Sequence, residues 1–201
     1  MKKAVLEAAP LEYTEEVAGI ISTQLYSPRY CRGLVEYARA ADGWTAASIF
    51  ERGRGAGDAA ARPAYRSARA LAFDSRSPVG REFDEQMARI VRPLVNRVWQ
   101  ANLETHKATH IVRYAPGDFY VAHTDTIPGD DYRYFTVLCY LNEEFEGGQT
   151  TFPALNYSFK PRTGAAIIFP ATYLHCAEPV TAGEKYAVVT WLCGAPPVRW
   201  I

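Results

Sequence analysis

The chain has 201 residues, of which 48% are hydrophobic and 13% aromatic, and it carries 22 basic and 22 acidic side chains. This composition is typical of one folded domain and excludes a disordered chain. Because the formal net charge is zero, no general field favours nucleic acid or an anionic membrane surface. No apolar run is long enough to span a bilayer, and the first residues make a poor signal peptide, so we expect a cytoplasmic protein.

The four cysteines, Cys31, Cys139, Cys176 and Cys193, are widely spaced, and no two of them form a C-x-x-C motif. We therefore expect reduced thiols that are mostly buried. Cys139 and Cys176 lie close in sequence to candidate site residues, and we assign both of them structural roles.

Residues 1–105 are predicted to form a mostly helical support region. Residues 14–25 have Thr14 as a candidate cap, and their apolar side chains are spaced as on one helical face. These apolar residues are Val17, Ile20, Ile21 and Leu25. A second helix is predicted after the cap Ser27, with Pro28 at its first position.

The longest helix is predicted over residues 81–103, where Pro93 is a candidate kink. A stretch rich in Gly, Ala and Arg precedes it, at residues 51–68. Two interpretations of the loop 52–66 within this stretch remain open, a flexible surface loop or a lid over the substrate.

After residue 105 the pattern changes to short β-rich runs separated by Gly, Pro and Asp. Eight strands are predicted, at 109–115, 119–125, 133–142, 149–155, 157–161, 165–171, 175–180 and 185–193. We predict an α+β fold in which the strands form a sandwich or jelly roll and the helices buttress one face. The whole chain, 1–201, is predicted to be a single domain with a jelly-roll core at 106–194 and a tail at 195–201.

Three residues of this core form a candidate metal site. Successive strand side chains alternate between faces, so His123 and Asp125 point the same way. His175 follows a later apolar strand and supplies a second imidazole. Two imidazoles and one carboxylate suit a non-haem iron that keeps open coordination positions. The H-x-D spacing alone is a weak signal, because it arises often by chance.

A lysine ten residues after His175 strengthens this interpretation. Lys185 begins the apolar run KYAVVTW, and a lysine on a buried strand needs an anionic partner. A dicarboxylate that chelates the metal at one end and pairs with Lys185 at the other would provide that partner.

Several motifs in order resemble one family. From Ile111 to Gly194 the segments RYAPGDFYVAHTD, RYFTVLCYLNEEFEGGQTTFP and KPRTGAAIIFPATYLHCAEPVTAGEKYAVVTW resemble the iron(II)- and 2-oxoglutarate-dependent oxygenases, in their prolyl 4-hydroxylase-like branch. The family fold is a double-stranded β-helix, or jelly roll. Before residue 100 the resemblance is too thin to carry residue roles.

The resemblance implies a role for each matched residue. His123, Asp125 and His175 would ligate iron, and Lys185 would bind the distal carboxylate of 2-oxoglutarate. Four further residues would contribute to the cosubstrate pocket: Tyr114 hydrogen-bonded to the same carboxylate, Tyr140 and Thr150 in its wall, and Trp191 packed beside Lys185. Arg133 would lie near the substrate entrance, where an arginine among Arg62, Arg66 and Arg69 could join it if the substrate is a free amino acid.

The reaction implied is hydroxylation of an unactivated C–H bond with release of succinate and carbon dioxide. Its cofactors would be Fe(II), 2-oxoglutarate and O2, with ascorbate as a supporting reductant. The substrate stays open between a free amino acid, a prolyl or peptidyl group and a natural-product intermediate; a homodimer is one option for the oligomeric state. Desaturation or cyclisation at the same iron, a cupin-like metal isomerase, and a binding protein without catalysis are the alternatives.

Two other histidines and one loop have simpler interpretations. His106 and His110 precede the first core strand, and we expect them to be solvated or hydrogen-bonded. The segment TIPGDDYRY after Asp125 contains two acids that could bind Ca²⁺, but turn chemistry explains its composition better. In this fold the loop typically overhangs the substrate, so it is the first candidate for specificity.

Overall fold

The structure, a computed structural model, describes residues 12–49, 60–74, 76–126 and 133–194. Most of the predicted 52–66 loop, most of the TIPGDDYRY loop and the tail 195–201 lie outside the described residues. The interpretations of these segments therefore stay predictions.

Strands dominate the described chain. They are β1 Thr14–Val17, β2 Ile20–Gln24, β3 Thr45–Ala46, β4 Ser48–Ile49, β5 Ala60–Ala61, β6 Arg66–Ser67, β7 Arg69–Ala72, β8 Leu103–Tyr114, β9 Phe119–His123, β10 Arg133–Tyr140, β11 Phe145–Gly147, β12 Thr150–Phe152, β13 Tyr157–Phe159, β14 Ala165–Pro170, β15 His175–Ala177, β16 Val180–Gly183 and β17 Lys185–Gly194. The helices are α1 Pro28–Ala40, α2 Pro78–Gln86 and α3 Arg92–Trp99, with a π-helical turn at Met87–Val91 and a 3-10 turn at Pro153–Leu155.

Two antiparallel sheets carry the architecture. The major sheet has eight strands in the order β1-β2-β14-β10-β17-β8-β7-β3, and the minor sheet has five in the order β13-β12-β15-β9-β6. Two short pairs, β11-β16 and β4-β5, complete the described strands. All eight strands predicted after residue 105 are present, and the jelly-roll prediction is confirmed.

The prediction of a helix over residues 14–25 is wrong, because this segment is the hairpin β1-β2. Ala18 and Gly19 both have positive φ, at 43° and 74°, as a two-residue hairpin turn of the I′ type requires. Ile20 and Ile21 are both buried because β2 lies inside the major sheet, with β1 and β14 on its two sides. Two adjacent buried residues with Val17 imitate helical spacing, which a short apolar run cannot distinguish from a buried strand.

The boundary predicted at residue 105 does not separate helices from strands. Strands β1, β2, β3 and β7 precede it and belong to the same sheet as β8, β10, β14 and β17. The short strand β6 also precedes it and pairs with β9 in the minor sheet. The segment before residue 105 therefore contributes to both sheets of the core.

The other two helical predictions are confirmed. Ser27 caps α1 by accepting a hydrogen bond from the Tyr30 N–H, and Pro28 opens the helix. The long helix begins at Pro78 and ends at Trp99. Its irregularity is a π-helical turn that ends two residues before Pro93, and the missing proline N–H removes a helical hydrogen bond in this region.

The hydrophobic core has two layers. In β14, the side chains of Ala166 and Ile168 pack in a cluster with the helices, whereas Ala165, Ile167 and Phe169 pack in a cluster between the sheets. This alternation follows from the two-residue period of a strand that is buried on both faces. The helices cover the outer face of the major sheet, as predicted, and leave its inner face to the minor sheet. Within the described residues, no helix is both long and apolar enough to cross a membrane.

Candidate metal and cosubstrate site

A cavity lies between the two sheets and is lined by their inner faces. The major sheet contributes side chains from β8, β10 and β17, and the minor sheet contributes side chains from β6, β9, β12 and β15. The lining residues are Arg66, Val112, Tyr114, Tyr120, His123, Asp125, Thr136, Leu138, Thr150, His175, Cys176, Ala177, Lys185, Ala187, Val189 and Trp191. Residues that are far apart in the sequence, including the candidate iron ligands and Lys185, therefore share one cavity.

The three predicted metal ligands meet in the wall of this cavity. His123 ends β9 and pairs across the minor sheet with His175, the first residue of β15. Asp125 follows β9, and its backbone N–H donates to the Ala171 carbonyl at 2.9 Å. Its two carboxylate oxygens lie 3.6 Å from His123 Nε2 and 3.5 Å from His175 Nε2. One ligand atom from each residue lies within 4.8 Å of the others.

Backbone carbonyls fix the orientation of both imidazoles. His123 Nδ1 lies 2.8 Å from the Val121 carbonyl, and His175 Nδ1 lies 3.0 Å from the Tyr173 carbonyl. Carbonyls only accept hydrogen bonds, so both Nδ1 atoms carry a proton, and in the neutral tautomer that this contact selects each ring presents a lone pair at Nε2. In this tautomer, the two Nε2 atoms and the Asp125 carboxylate converge as three electron-pair donors. A cation at their centre resolves this arrangement, and the Nδ1 contacts are those that metal-bound histidines usually make.

The protonation states favour metal binding. Burial lowers the pKa of His175 to about 4, although the Asp125 carboxylate opposes this shift. Burial alone would raise the pKa of Asp125, but His175, His123 and a hydrogen bond from Thr136 outweigh it and hold that pKa below its usual value. The Thr136 hydroxyl donates to Asp125 Oδ2 at 2.6 Å. Near neutral pH the site therefore has an ionised carboxylate and a neutral His175, as a divalent metal requires.

Lys185 occupies another part of the cavity. Its side chain is only 1% exposed, and Nζ donates to the Gly148 carbonyl at 2.6 Å. The rings of Tyr114 and Tyr140 lie 5.2 Å and 5.3 Å from Nζ. Burial lowers the pKa of Lys185 to about 7, while the Cys176 thiol opposes this shift. In the described part of the chain no carboxylate lies within ion-pair distance of Nζ, so an anionic ligand would complete this site.

The loop that bears Gly148 fits closely around the lysine. A Cβ atom at Gly148 would lie 3.3 Å from Lys185 Cδ and 3.0 Å from Val180 Cγ2, and its φ is +64°. Both the space and the backbone conformation therefore require glycine at this position. The GG pair of the motif GGQT thus positions a carbonyl acceptor for the buried ammonium group.

The remaining predicted site residues occupy different positions. Tyr114 and Thr150 line the cavity. Tyr140 is fully buried behind the lining and donates from its hydroxyl to Thr150 Oγ1 at 2.8 Å. It therefore supports the wall rather than forming its surface.

The expectation that Trp191 packs beside Lys185 is wrong. The two residues lie six positions apart on the extended strand β17, where Lys185 is opposite Tyr114 and Trp191 is opposite Lys107. Six residues of a strand span roughly 20 Å. Trp191 instead packs against Arg133, whose guanidinium carbon lies 3.9 Å from the indole ring. Arg133 is buried and lies outside the cavity lining, so its substrate role stays a prediction.

Comparison with known proteins identifies the family. Residues 109–193 match the profile of the 2OG-Fe(II) oxygenase superfamily. A candidate prolyl 4-hydroxylase of Acanthamoeba polyphaga mimivirus is 34% identical over 127 residues, which cover 51% of this chain and 52% of that protein. Residues 109–193 therefore form a domain of the 2OG-Fe(II) oxygenase superfamily. The relatives that match in sequence include prolyl 4-hydroxylases, in agreement with the branch that the motifs predict.

Solved structures of related oxygenases have the same fold. A prolyl-4-hydroxylase of Pseudomonas putida superposes with a TM-score of 0.73 at 21% identity, covering 89% of this chain and 94% of that one. A prolyl hydroxylase of Trichoplax adhaerens, in complex with a peptide fragment of hypoxia inducible factor, superposes with a TM-score of 0.70 at 18% identity, covering 87% and 83%. By contrast, the chain spans about half or less of the length of the first curated relatives that it matches in sequence.

The match of residues 109–193 to this superfamily implies Fe(II), 2-oxoglutarate and O2 as cofactors. The donor set described above fits Fe(II), because two imidazoles and one carboxylate form the 2-His-1-carboxylate arrangement of non-haem iron oxygenases. No carboxylate among the described residues pairs with the buried ammonium group of Lys185. This group therefore fits a dicarboxylate cosubstrate. The metal-binding atoms and the buried lysine of this cavity therefore agree with the iron and the dicarboxylate cosubstrate of the family.

Four residues of the cavity wall are not among the site residues that the sequence predicts, or are predicted there only as one of several candidates. Tyr120 and Thr136 both lie within quoted motifs, as the second tyrosine before His123 and as the threonine of RYFT. Cys176 was assigned a structural role but lies in the cavity wall. Arg66 was one of three arginines considered for the substrate, and it is the one among them that lines the cavity.

The two histidines outside the site are hydrogen-bonded, and the four cysteines are reduced and mostly buried, as predicted. His106 Nε2 lies 2.9 Å from Asp84 Oδ1, and His110 Nδ1 lies 2.5 Å from the Ala108 carbonyl. All four cysteines are free; three of them are buried and Cys176 is partly buried.

Proposed function

We propose that the protein is an Fe(II)- and 2-oxoglutarate-dependent dioxygenase that hydroxylates an unactivated C–H bond and releases succinate and carbon dioxide. One observation carries this proposal. A single cavity contains three converging metal-binding atoms and, elsewhere in its wall, a buried lysine that no described carboxylate pairs with. A metal isomerase would use the first feature but has no need of the second.

In this proposal His123, Asp125 and His175 hold the iron, with Nε2 of each imidazole and the carboxylate as donors. The bound metal supplies the activation of O2 that side chains cannot perform. The chain fixes the ligand geometry through the Val121 and Tyr173 carbonyls and through Thr136. Desaturation or cyclisation would use the same ligands, and product analysis distinguishes these reactions from hydroxylation.

Lys185 binds the distal carboxylate of 2-oxoglutarate in the same proposal. Pairing with the carboxylate is favoured because Lys185 is already buried in the ligand-free protein, and a hydrogen bond between two charged groups is stronger than one between neutral groups. Tyr114 and Thr150, which line the cavity near the lysine, offer hydroxyl groups to the same carboxylate. Tyr140 positions Thr150 through its hydrogen bond.

We propose a prolyl group within a peptide as the first substrate to test. The support comes from the names of relatives, the mimivirus and Pseudomonas putida prolyl hydroxylases, and from the peptide bound to the Trichoplax adhaerens protein. A free amino acid is the second candidate, because the Arg66 side chain lines the cavity and offers a cation for a substrate carboxylate. The cytoplasmic location also stays a proposal.

The test is an anaerobic titration of the metal-free protein with Fe(II) and then 2-oxoglutarate, followed by visible absorption. We expect the weak charge-transfer band of a chelated keto acid in the wild type and its loss in His123→Ala. No band from a folded, metal-loaded wild type would overturn the proposal and favour the isomerase or binding interpretation. If the band forms, succinate release with capped prolyl peptides against free amino acids assigns the substrate class.

A further inference from the structure

The two histidines of the metal site are held in different ways. The His175 ring contacts the rings of Phe169 and Phe152, with centroids 4.7 Å and 6.0 Å away, and its side chain is 8% exposed. The His123 side chain lies at the C-terminal end of β9 and is 16% exposed. Apart from His175, the aromatic ring that the structure places against His123 is that of Tyr120.

A β-bulge brings Tyr120 onto the same side of β9 as His123. Three positions along a regular strand would place these two side chains on opposite faces. Across from β9, however, His175 pairs with His123 while Ala177 pairs with Tyr120, so three steps on β9 oppose two steps on β15. The extra residue re-aims the tyrosine, which is the usual effect of a bulge beside a functional site.

The resulting contact is a close parallel stack. The ring centroids of Tyr120 and His123 are 3.5 Å apart, and the ring planes differ by 17°. A histidine ring rotates about its terminal torsion over a broad range unless its surroundings restrict it. The Val121 carbonyl restrains one edge of the His123 ring through Nδ1, and the Tyr120 ring covers one of its faces.

Arg66 contacts the tyrosine of this stack. Its backbone pairs with Tyr120 across β6 and β9, and its guanidinium carbon lies 4.5 Å from the centroid of the Tyr120 ring. One guanidinium nitrogen donates to the Ser48 carbonyl at 3.1 Å. Because a cation over a tyrosine face is attracted to it most strongly where water is excluded, Arg66 restrains the ring that restrains His123.

We propose that Tyr120 and Arg66 are positioning residues that hold the His123 imidazole in its metal-binding orientation. This inference rests on the proposed function in one respect, the assignment of His123 as a metal ligand. Arg66 lies outside the region that matches the superfamily profile, residues 109–193. An earlier segment of this chain therefore takes part in the metal site, through the tyrosine.

The test is titration of the metal-free protein with Co(II), whose visible absorption reports both affinity and coordination geometry. Tyr120→Leu should weaken Co(II) binding by roughly 10-fold, the lower end of what loss of an outer-shell partner costs, and should change the absorption bands. Tyr120→Phe keeps the stack and should retain the wild-type affinity and spectrum. Arg66→Met should weaken binding by about 2- to 5-fold, in line with one cation–π contact.

The matched control is Tyr65→Leu, which removes an exposed tyrosine beside Arg66 and should leave Co(II) binding unchanged. Wild-type affinity and spectrum in folded Tyr120→Leu would overturn the inference, as would equal losses in Tyr120→Phe and Tyr120→Leu. If Tyr120→Leu does not fold, Arg66→Met becomes the deciding variant. An unchanged Co(II) affinity in Arg66→Met would then overturn the positioning role of Tyr120 and Arg66. A wild type that binds no Co(II) would overturn the metal site itself. Co(II) binding without a keto-acid band in the Fe(II) protein would instead overturn the oxygenase proposal alone.

Discussion

The metal-binding cluster and the Lys185 region lie in one cavity, but each is missing a different partner. The cluster is missing a cation, and Lys185 is missing an anion. At the cluster of His123, Asp125 and His175, three electron-pair donors converge and no cation is among the described side chains that contact them. At Lys185, a cation is buried against tyrosine rings, and its hydrogen bond goes to the neutral Gly148 carbonyl. Each region is electrostatically incomplete by itself.

This difference indicates what completes the cavity. A metal ion would satisfy the cluster, and a carboxylate would satisfy the lysine. A ligand that chelates the metal through one end and carries a carboxylate at the other would satisfy both. The comparison therefore predicts separate effects for changes in the two regions, metal binding in one and cosubstrate binding in the other.

The largest effect is expected from removing the carboxylate of the cluster. Asp125→Ala leaves two imidazoles and no carboxylate, and it should weaken binding of Mn(II) or Co(II) by more than the roughly 100-fold that loss of an outer-shell partner costs. Isothermal titration of the metal-free protein measures this loss. Asp84→Ala is the matched control, because Asp84 contacts His106 outside the cavity, and it should bind metal like the wild type. Unchanged metal affinity in Asp125→Ala would contradict the assignment of this cluster as the metal site.

The next effect belongs to the lysine. Lys185→Met keeps the length and apolar part of the side chain but removes a buried charge. We expect 2-oxoglutarate to bind roughly 10- to 100-fold more weakly, since one hydrogen bond to a charged group contributes about 1.5–3 kcal/mol.

Metal affinity should not change in Lys185→Met. This result would show that the two regions bind the metal and the cosubstrate separately. Isothermal titration with Mn(II) and then 2-oxoglutarate measures both. Lys160→Met, at an exposed position, is the control and should bind both ligands normally. Equal weakening of metal and cosubstrate would mean that the regions are not distinct.

The pH dependence sharpens the same comparison. Below pH 7 Lys185 is charged in both the folded and the unfolded chain. Burial of this charge then destabilises the folded state to its full extent. As pH rises from about 7 towards the ordinary lysine value near 10.4, the folded chain loses this proton before the unfolded chain does. The free energy of unfolding of the ligand-free protein should therefore rise over this window relative to Lys185→Met.

Urea denaturation of both proteins between about pH 7 and 9 measures that difference, because other titrating groups are shared. Saturating Mn(II) and 2-oxoglutarate should flatten the rise, since the bound carboxylate keeps the lysine charged. A difference between the two proteins that stays constant with pH would contradict the assignment.

The smallest effect is expected one contact away from the metal. Thr136→Val removes the hydroxyl that donates to Asp125 and should weaken metal binding by roughly 10-fold or less. Thr190→Val changes another buried threonine, one that contacts Thr109 and the Lys107 carbonyl, and should leave metal binding unchanged. If both variants bind metal equally well, Thr136 does not position the carboxylate.

The strands after residue 105 were predictable because turn residues separate short β-rich runs there. The hairpin Thr14–Gln24 was not, because β2 is buried on both faces and its adjacent apolar residues have lost the two-residue alternation of a surface strand. Local pattern therefore succeeded where the polar signals between elements are strong, and it failed where burial on both faces removed the alternation.

The candidate site divides in the same way. His123, Asp125, His175 and Lys185 lie in motifs that could be found from residue types and order alone. The expected contact between Trp191 and Lys185 fails because an even spacing places two side chains on the same face of a strand, but six residues separate them by roughly 20 Å. Tyr120 reaches His123 only through a β-bulge, which residue spacing does not predict.

The sequence by itself determined the chemistry of this protein, since ligand types, the buried lysine and the order of motifs are local properties of the chain. Tertiary structure alone decided which residues share the cavity. Arg66 and Tyr120 meet because β6 pairs with β9, Thr136 reaches Asp125 from the opposite sheet, and Arg133 is buried behind Trp191. These contacts depend on strand pairing and sheet packing, which bring together residues that are distant along the chain.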